Sequence, residues 1–120
     1  MIYKFNINSR AFCAIKNKTK RVEIRCTKLG LDNFDYGILN INDNIEFTSF
    51  TGEKMLCLIK KVNHYKSIED LLTYEGTKYT LSSTNCYEEG IKSINSIEGY
   101  KDLIPVNGIY AIHIEYLNSY

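Results

Sequence analysis

Residues 18–25 read KTKRVEIR, and this stretch carries the strongest structural signal in the chain. Polar and apolar residues alternate through it, which predicts a β-strand over residues 21–27, because successive side chains of a strand point to opposite faces. The apolar face of this strand holds Val22, Ile24 and Cys26. Glu23 and Arg25 share the opposite face with Arg21. Such a pair is either a surface salt bridge of little energy or a carboxylate that a cation holds inside a cleft.

The same region is strongly basic. Between residues 16 and 28 one acid, Glu23, stands among six cations: Lys16, Lys18, Lys20, Arg21, Arg25 and Lys28. The whole chain carries a net charge of only +1, so any attraction for nucleic acid has to come from a local patch such as this one. The plain structural alternative is a solvated turn followed by one charged strand face.

The segments around this strand predict a small α+β protein. Hydrophobic alternation predicts further strands over residues 2–7, 45–50, 55–62 and 109–117, and helical spacing with capping residues predicts helices after Ser9, from Ser67 to Gly76 and over residues 85–98. Glycine, Asp and Asn residues predict a loop over residues 29–40. Five short strands with two to three flanking helices fit a small, partly closed, mixed β-barrel. A length of 120 residues fits a single domain over residues 1–120.

Residues 18–25 also resemble the signature of ASCH domains, a family related to the PUA domains. That signature reads G-x-K-x-x-E-x-R, and Lys20, Glu23 and Arg25 match its three charged positions. Lys18 replaces the glycine. The position is a turn where a positive φ angle is easy only for Gly, Asn or Asp.

Three further motifs of the family follow in the same order. Residues 42–47 are similar to G-D-x-I-x-F, with Asn42 in place of the glycine. Residues 65–72 match a strand that ends in tyrosine and leads into a serine-started helix with a D-L-L run. Residues 108–114 match the closing strand G-[VI]-x-A-I-x-I. The resemblance therefore covers nearly the whole chain.

This resemblance implies a PUA-like barrel with a cleft between the barrel and its helices, lined by Lys20, Glu23 and Arg25. It implies RNA, a nucleotide or a modified nucleoside as the partner. Some small ASCH proteins hydrolyse the acetyl amide of N4-acetylcytidine, and ribonuclease activity is attributed to others. The amidohydrolase members carry K-x-x-T-x-R and a later glutamate, which could align with Glu75 or Glu69. Glu23 occupies the threonine position, and that departure weakens the amidohydrolase interpretation.

Three hypotheses follow. The first is a module that binds RNA or a nucleoside-like ligand, with Lys18, Arg21 and Tyr65 adding contacts to the three signature residues; Tyr65 would either stack on a base or pack in the core. The second is a hydrolase that uses Lys20 as a base and Glu23 to activate water. The third is a protein-interaction or coregulator domain, which predicts an exposed apolar patch away from the cleft. Whether the protein is an enzyme stays open.

Other features predict a reduced, intracellular setting. The four cysteines form no C-x-x-C pair and match no zinc pattern, so we expect mostly buried free thiols and neither a metal nor a cofactor. The N-terminus lacks the apolar core of a signal peptide, and no apolar run approaches the ~20 residues that span a bilayer. We expect a soluble, cytoplasmic protein, as a monomer or weak dimer. The choice between RNA and DNA is left open.

Overall fold

The computed structural model describes residues 1–27, 34–82 and 84–120. Lys28 and the first part of the loop predicted over residues 29–40 lie outside these ranges. The helices and strands of this α+β fold are β1 (Ile2–Ile7), α1 (Ser9–Lys16), β2 (Val22–Arg25), a 3-10 turn (Tyr36–Ile38), β3 (Asn44–Ser49), β4 (Lys54–Tyr65), α2 (Ile68–Glu75), α3 (Tyr87–Asn95), α4 (Tyr100–Asn107) and β5 (Ile109–Ser119).

The five strands form one curled, mixed sheet in the order β1-β3-β4-β5-β2. β1 runs parallel to β3, and the other neighbouring pairs are antiparallel, including the predicted β3–β4 hairpin. β1 and β2 are therefore the two edges of the half-barrel. Arg25 links them, because its Nη2 donates to the main-chain oxygen of Asn6 at 2.8 Å. We call the gap between these two edges the seam.

Two hydrophobic cores lie on opposite faces of the sheet, and β5 belongs to both. Ile112 and Ile114 pack in the inner core with β1, β3, β4 and α1. Ile109 and Ala111 pack in the outer core with α2, α3 and α4. The alternation of side chains along a strand produces this division. α2, α3 and α4 thus cover one side of the half-barrel, beside the seam, whereas α1 packs in the inner core.

Several local predictions are confirmed. Tyr3, Phe5 and Ile7 form the buried face of β1. The hydroxyl of Ser67 accepts from the backbone N–H of Asp70 at 3.1 Å and caps α2, which ends at Gly76 with a φ of 78°. Lys18 and Asn42, the two residues at glycine positions of the motifs, have φ angles of 65° and 74°.

Three details differ from the predictions. The cap of α1 is Asn8 rather than Ser9, because the side chain of Asn8 accepts from the N–H of Ala11 at 2.8 Å. The described residues contain four helices: α3 ends at Asn95, and α4 was not predicted because Gly99 and Pro105 resemble helix-breaking signals. Only two of the four thiols are buried, Cys26 and Cys57, while Cys13 and Cys86 are exposed.

Neither a membrane span nor a metal cluster is found within the described ranges. No helix there is long and apolar enough to cross a bilayer. No group of three His, Cys, Asp or Glu residues there is arranged to hold a metal ion.

Candidate functional site

A cleft of about 430 Å³ opens along the seam. One wall comes from the ends of β1 and β2, and the other comes from residues 80–82 and from α3 and α4. Lys20, Glu23 and Arg25 all line it, so the structure brings together the three residues that the signature pointed to. We refer to them as the charged triad.

Lys20 is buried, with 5% of its surface exposed. Its ammonium donates to the main-chain oxygens of Val22 and Thr80, each at 2.6 Å, and lies 3.5 Å from a carboxylate oxygen of Glu23. Three acceptors match the three hydrogens of an ammonium group. Burial lowers the pKa of Lys20, and the attraction of Glu23 opposes that shift. Lys20 therefore holds the start of β2, the carboxylate and the segment at Thr80 together.

Glu23 and Arg25 form the second half of the triad. Nε and Nη2 of Arg25 lie 3.0 and 2.9 Å from the same carboxylate oxygen of Glu23. Burial alone would lower the pKa of Arg25, but the attractions of Glu23, Tyr36 and Tyr100 together outweigh burial and raise it. The guanidinium also lies 5.3 Å from the centroid of the Phe5 ring. Arg25 is thus a permanent positive charge fixed at the seam.

The cleft is positively charged overall. Among the described residues that line it, three are cations, Arg10, Lys20 and Arg25, and one is a carboxylate, Glu23. A partly enclosed site with surplus positive charge attracts phosphate more strongly than an exposed surface does. Glu23 adds an acceptor with lone pairs beyond those that the cations occupy, because a carboxylate has about four acceptor positions.

The mouth of the cleft is lined by groups that the sequence did not reveal. Phe50, in the β3–β4 turn, lines the cleft and is 76% exposed. Ile97 and the hydroxyl residues Ser82, Ser93 and Ser96 also line it. They come from turns and helices far from the signature in sequence. An aromatic residue at an exposed hairpin turn is the one signal that could have identified Phe50.

Lys18 and Arg21, two other predicted contacts, lie on the far side of Lys20. They line a second groove of about 290 Å³, which also includes Lys60 and Tyr116. Lys20 lines both the cleft and this groove, so the two concave surfaces are neighbours.

Tyr65 is not among the described residues that line the cleft. Its ring stacks on Tyr74 at a centroid distance of 6.0 Å, and its hydroxyl donates to Glu75 at 2.6 Å. Burial and this hydrogen bond raise the pKa of Tyr65 to about 12. Glu69, the other alternative for a later glutamate, is exposed and does not line the cleft either.

Glu75 is the centre of a separate cluster between α2 and the sheet. It accepts from the side-chain amide of Asn63 at 2.8 Å as well as from Tyr65, and Nε2 of His113 lies 2.8 Å from its other oxygen. Burial raises the pKa of Glu75, but these hydrogen bonds and His113 outweigh burial and lower it. We call these four residues the Glu75 cluster.

Comparisons with known proteins identify relatives by structure. No protein-family model matches the chain, and no curated protein matches it. The hypothetical protein PH0355 has a crystal structure that is similar at a TM-score of 0.83 and 23% identity, over 98% of this chain and 100% of that one. The crystal structure of a mutant of ZmASCH from Zymomonas mobilis is similar at a TM-score of 0.61 and 11% identity, over 99% of this chain and 72% of that one. The crystal structure of the ASCH domain from Lactobacillus crispatus is similar at a TM-score of 0.59 and 12% identity, over 95% of this chain and 79% of that one.

Proposed function

We propose, from the premise that this chain has the PUA-like fold of ASCH domains, that it binds RNA or a nucleotide or modified nucleoside in the cleft along the seam. The observation that carries the proposal is the charged triad: a buried carboxylate held between two cations, on the wall of a cleft with surplus positive charge. This arrangement provides for both parts of a nucleotide, its phosphate and its base.

Arg25 and Arg10 are the groups that would face a phosphate. Arginine pairs with phosphate through a planar set of donors and stays charged at all relevant pH values. Glu23 would accept hydrogen bonds from an exocyclic amine of the base, because its carboxylate is fixed by Arg25 and keeps acceptor capacity. Lys20 would act indirectly, by holding Glu23 in place.

The same contacts favour binding over turnover. A general base must reach the proton that it abstracts, but Nζ of Lys20 is buried and already faces three acceptors of the protein. Glu23 also stands where the amidohydrolase signature has a threonine hydroxyl. The hydrolase alternative uses the same cleft and differs only in whether product forms.

Phe50 is the stacking residue that fits this proposal best. Its exposed ring stands at the mouth of the cleft, whereas the ring of Tyr65 is paired with Tyr74 outside it. Stacking of one base on an aromatic side chain is worth about 1–3 kcal/mol. Proteins that recognise unpaired bases commonly stack them on exposed aromatic side chains.

The test is a binding titration with a short single-stranded RNA and with cytidine 5′-monophosphate. We expect weaker binding for Arg25→Ala and for the double variant Lys20→Ala with Arg25→Ala, and unchanged binding for Lys101→Ala, an exposed control on α4. Phe50→Ala removes an exposed side chain, so it tests the site even if the triad variants unfold. Binding that survives the double variant in folded protein would contradict the placement of the site.

A second assay separates binding from catalysis. The purified protein is incubated with N4-acetylcytidine and with single-stranded RNA, and products are followed by chromatography. We expect no product from either, together with RNA binding that weakens as salt rises. Steady product formation that is lost in Glu23→Gln would establish the hydrolase alternative instead.

A further inference from the structure

The second groove is basic and lies next to the cleft. Lys18, Arg21 and Lys60 contribute positive charge to it, and Glu115 is the one carboxylate among the described residues that line it. Glu115 lies 3.9 Å from the ammonium of Lys60, and both side chains are 56% exposed. An exposed pair at that distance is weak, so it does not prevent Lys60 from meeting another anion.

Arg21 is held in a defined position in this groove. Its guanidinium carbon lies 4.2 Å from the centroid of the Tyr79 ring, and its Nε donates to the main-chain oxygen of Lys18 at 3.2 Å. Lys78 approaches the same ring at 5.1 Å. A guanidinium that is stacked and hydrogen bonded loses less freedom when it binds phosphate than one on a mobile side chain.

Lys18 stands at a backbone position that disfavours it. Its φ of 65° lies in the left-handed region, where a residue other than Gly, Asn or Asp is strained. The side chain nevertheless lines the groove with Arg21. A strained residue at a concave, charged surface points to a role in binding rather than in folding.

We propose that the groove of Lys18, Arg21 and Lys60 binds the phosphodiester backbone of a single-stranded RNA whose base occupies the cleft. This inference rests on the proposed function and narrows its ligand to a polynucleotide. The cleft and the groove share one lining residue, Lys20, so the two surfaces are neighbours, and we expect one strand to span both. A nucleoside or mononucleotide would fill the cleft and leave the groove unused.

The experiment compares two probes, an RNA of about ten nucleotides and cytidine 5′-monophosphate. We expect each of Lys18→Gly, Arg21→Ala and Lys60→Ala to weaken RNA binding by roughly threefold to tenfold at low salt, and to leave the mononucleotide unaffected. The slope of log affinity against log salt should become shallower by about 0.7 for each phosphate contact removed. Lys101→Ala controls for the loss of one charge.

The outcomes separate this inference from the proposed function. If Arg25→Ala weakens the binding of both probes while the groove variants bind like wild type, the cleft is a binding site and the groove is not. If the groove variants weaken RNA binding and Arg25→Ala does not, the groove binds RNA and the proposed site in the cleft is contradicted. If the groove variants reduce only the binding of phosphatidylserine vesicles, the groove serves a lipid surface and the inference is overturned.

Discussion

Glu23 and Glu75 both have carboxylate side chains that are less than a tenth exposed, yet their neighbours differ. Glu23 lies between two cations, Lys20 and Arg25, and lines an open cleft. Glu75 accepts from two neutral donors, Tyr65 and Asn63, and its other oxygen lies 2.8 Å from Nε2 of His113. It is not among the described residues that line the cleft. The cations around Glu23 produce a positive electrostatic field, and its carboxylate has lone pairs that they do not occupy, so both remain available to a ligand. The carboxylate of Glu75 is taken up by Tyr65, Asn63 and His113, and it ties α2 to the sheet instead.

The largest expected effect comes from removing the acid of the triad. Glu23→Ala leaves the buried cation of Lys20 and the fixed charge of Arg25 without their shared partner, so we expect the free energy of unfolding to fall by about 3 kcal/mol. Urea denaturation measures it. Glu98→Ala, at an exposed site, controls for the loss of one acid. A loss no larger than that of the control would mean that Glu23 does not organise the triad.

A smaller loss is expected at the second carboxylate. Glu75→Gln keeps the volume but weakens the hydrogen bonds from Tyr65 and Asn63, and we expect a loss of about 1.5 kcal/mol in the free energy of unfolding. Binding of RNA should stay at the wild-type level, whereas Glu23→Gln should weaken it. Reduced binding in the folded Glu75→Gln variant would remove the distinction between the two carboxylates.

The same variant gives a pH dependence with a defined sign. The folded pKa of Glu75 is lowered from its ordinary value of 4.5, so this residue stabilises the fold above that pH, and the contribution is lost as pH falls through the folded pKa. The difference in unfolding free energy between wild type and Glu75→Gln should therefore be full at neutral pH and shrink below about pH 4.5. Urea titrations across this range measure it, and a difference that grows on acidification would contradict the assignment.

The smallest expected effect is a gain. Lys18→Gly relieves the left-handed strain at that turn and should raise the free energy of unfolding by about 1 kcal/mol. The matched control is Lys16→Gly in the last turn of α1, where glycine should cost about 1 kcal/mol because it loosens a helix. Thermal denaturation shows whether each variant is more stable or less stable than wild type. A destabilised Lys18→Gly would show that the lysine side chain supports the fold itself.

Much of the fold could be predicted from local pattern. The alternation in β1 and β2, the cap at Ser67 and the turn at Asn42 depend on residues close together in the chain, and the structure contains each of them. The predicted α+β half-barrel is confirmed, and its fold is similar to that of solved ASCH-domain structures. α4 escaped prediction because Pro105 lies inside it, where local propensity opposes a helix that packing in the outer core supports.

The candidate site was only partly predictable. The triad lies within six residues of one strand and its preceding turn, so the signature was enough to find it. The signature does not include Arg10, Phe50 or Thr80. The topology of the sheet and the loops brings these residues to the cleft, where the main-chain oxygen of Thr80 accepts from Lys20. The position of Tyr65 depends on its pairing with Tyr74 and Glu75, which no sequence pattern revealed.

An NMR titration of the wild-type protein with a short single-stranded RNA tests the central claim most directly. We predict that amide signals shift along the cleft, at Asn6, Ser93 and Ile97, while those of Asn63 and His113 in the Glu75 cluster stay in place. Shifts centred on the Glu75 cluster, or none along the cleft at saturating RNA, would contradict the assignment of the charged triad as the binding site.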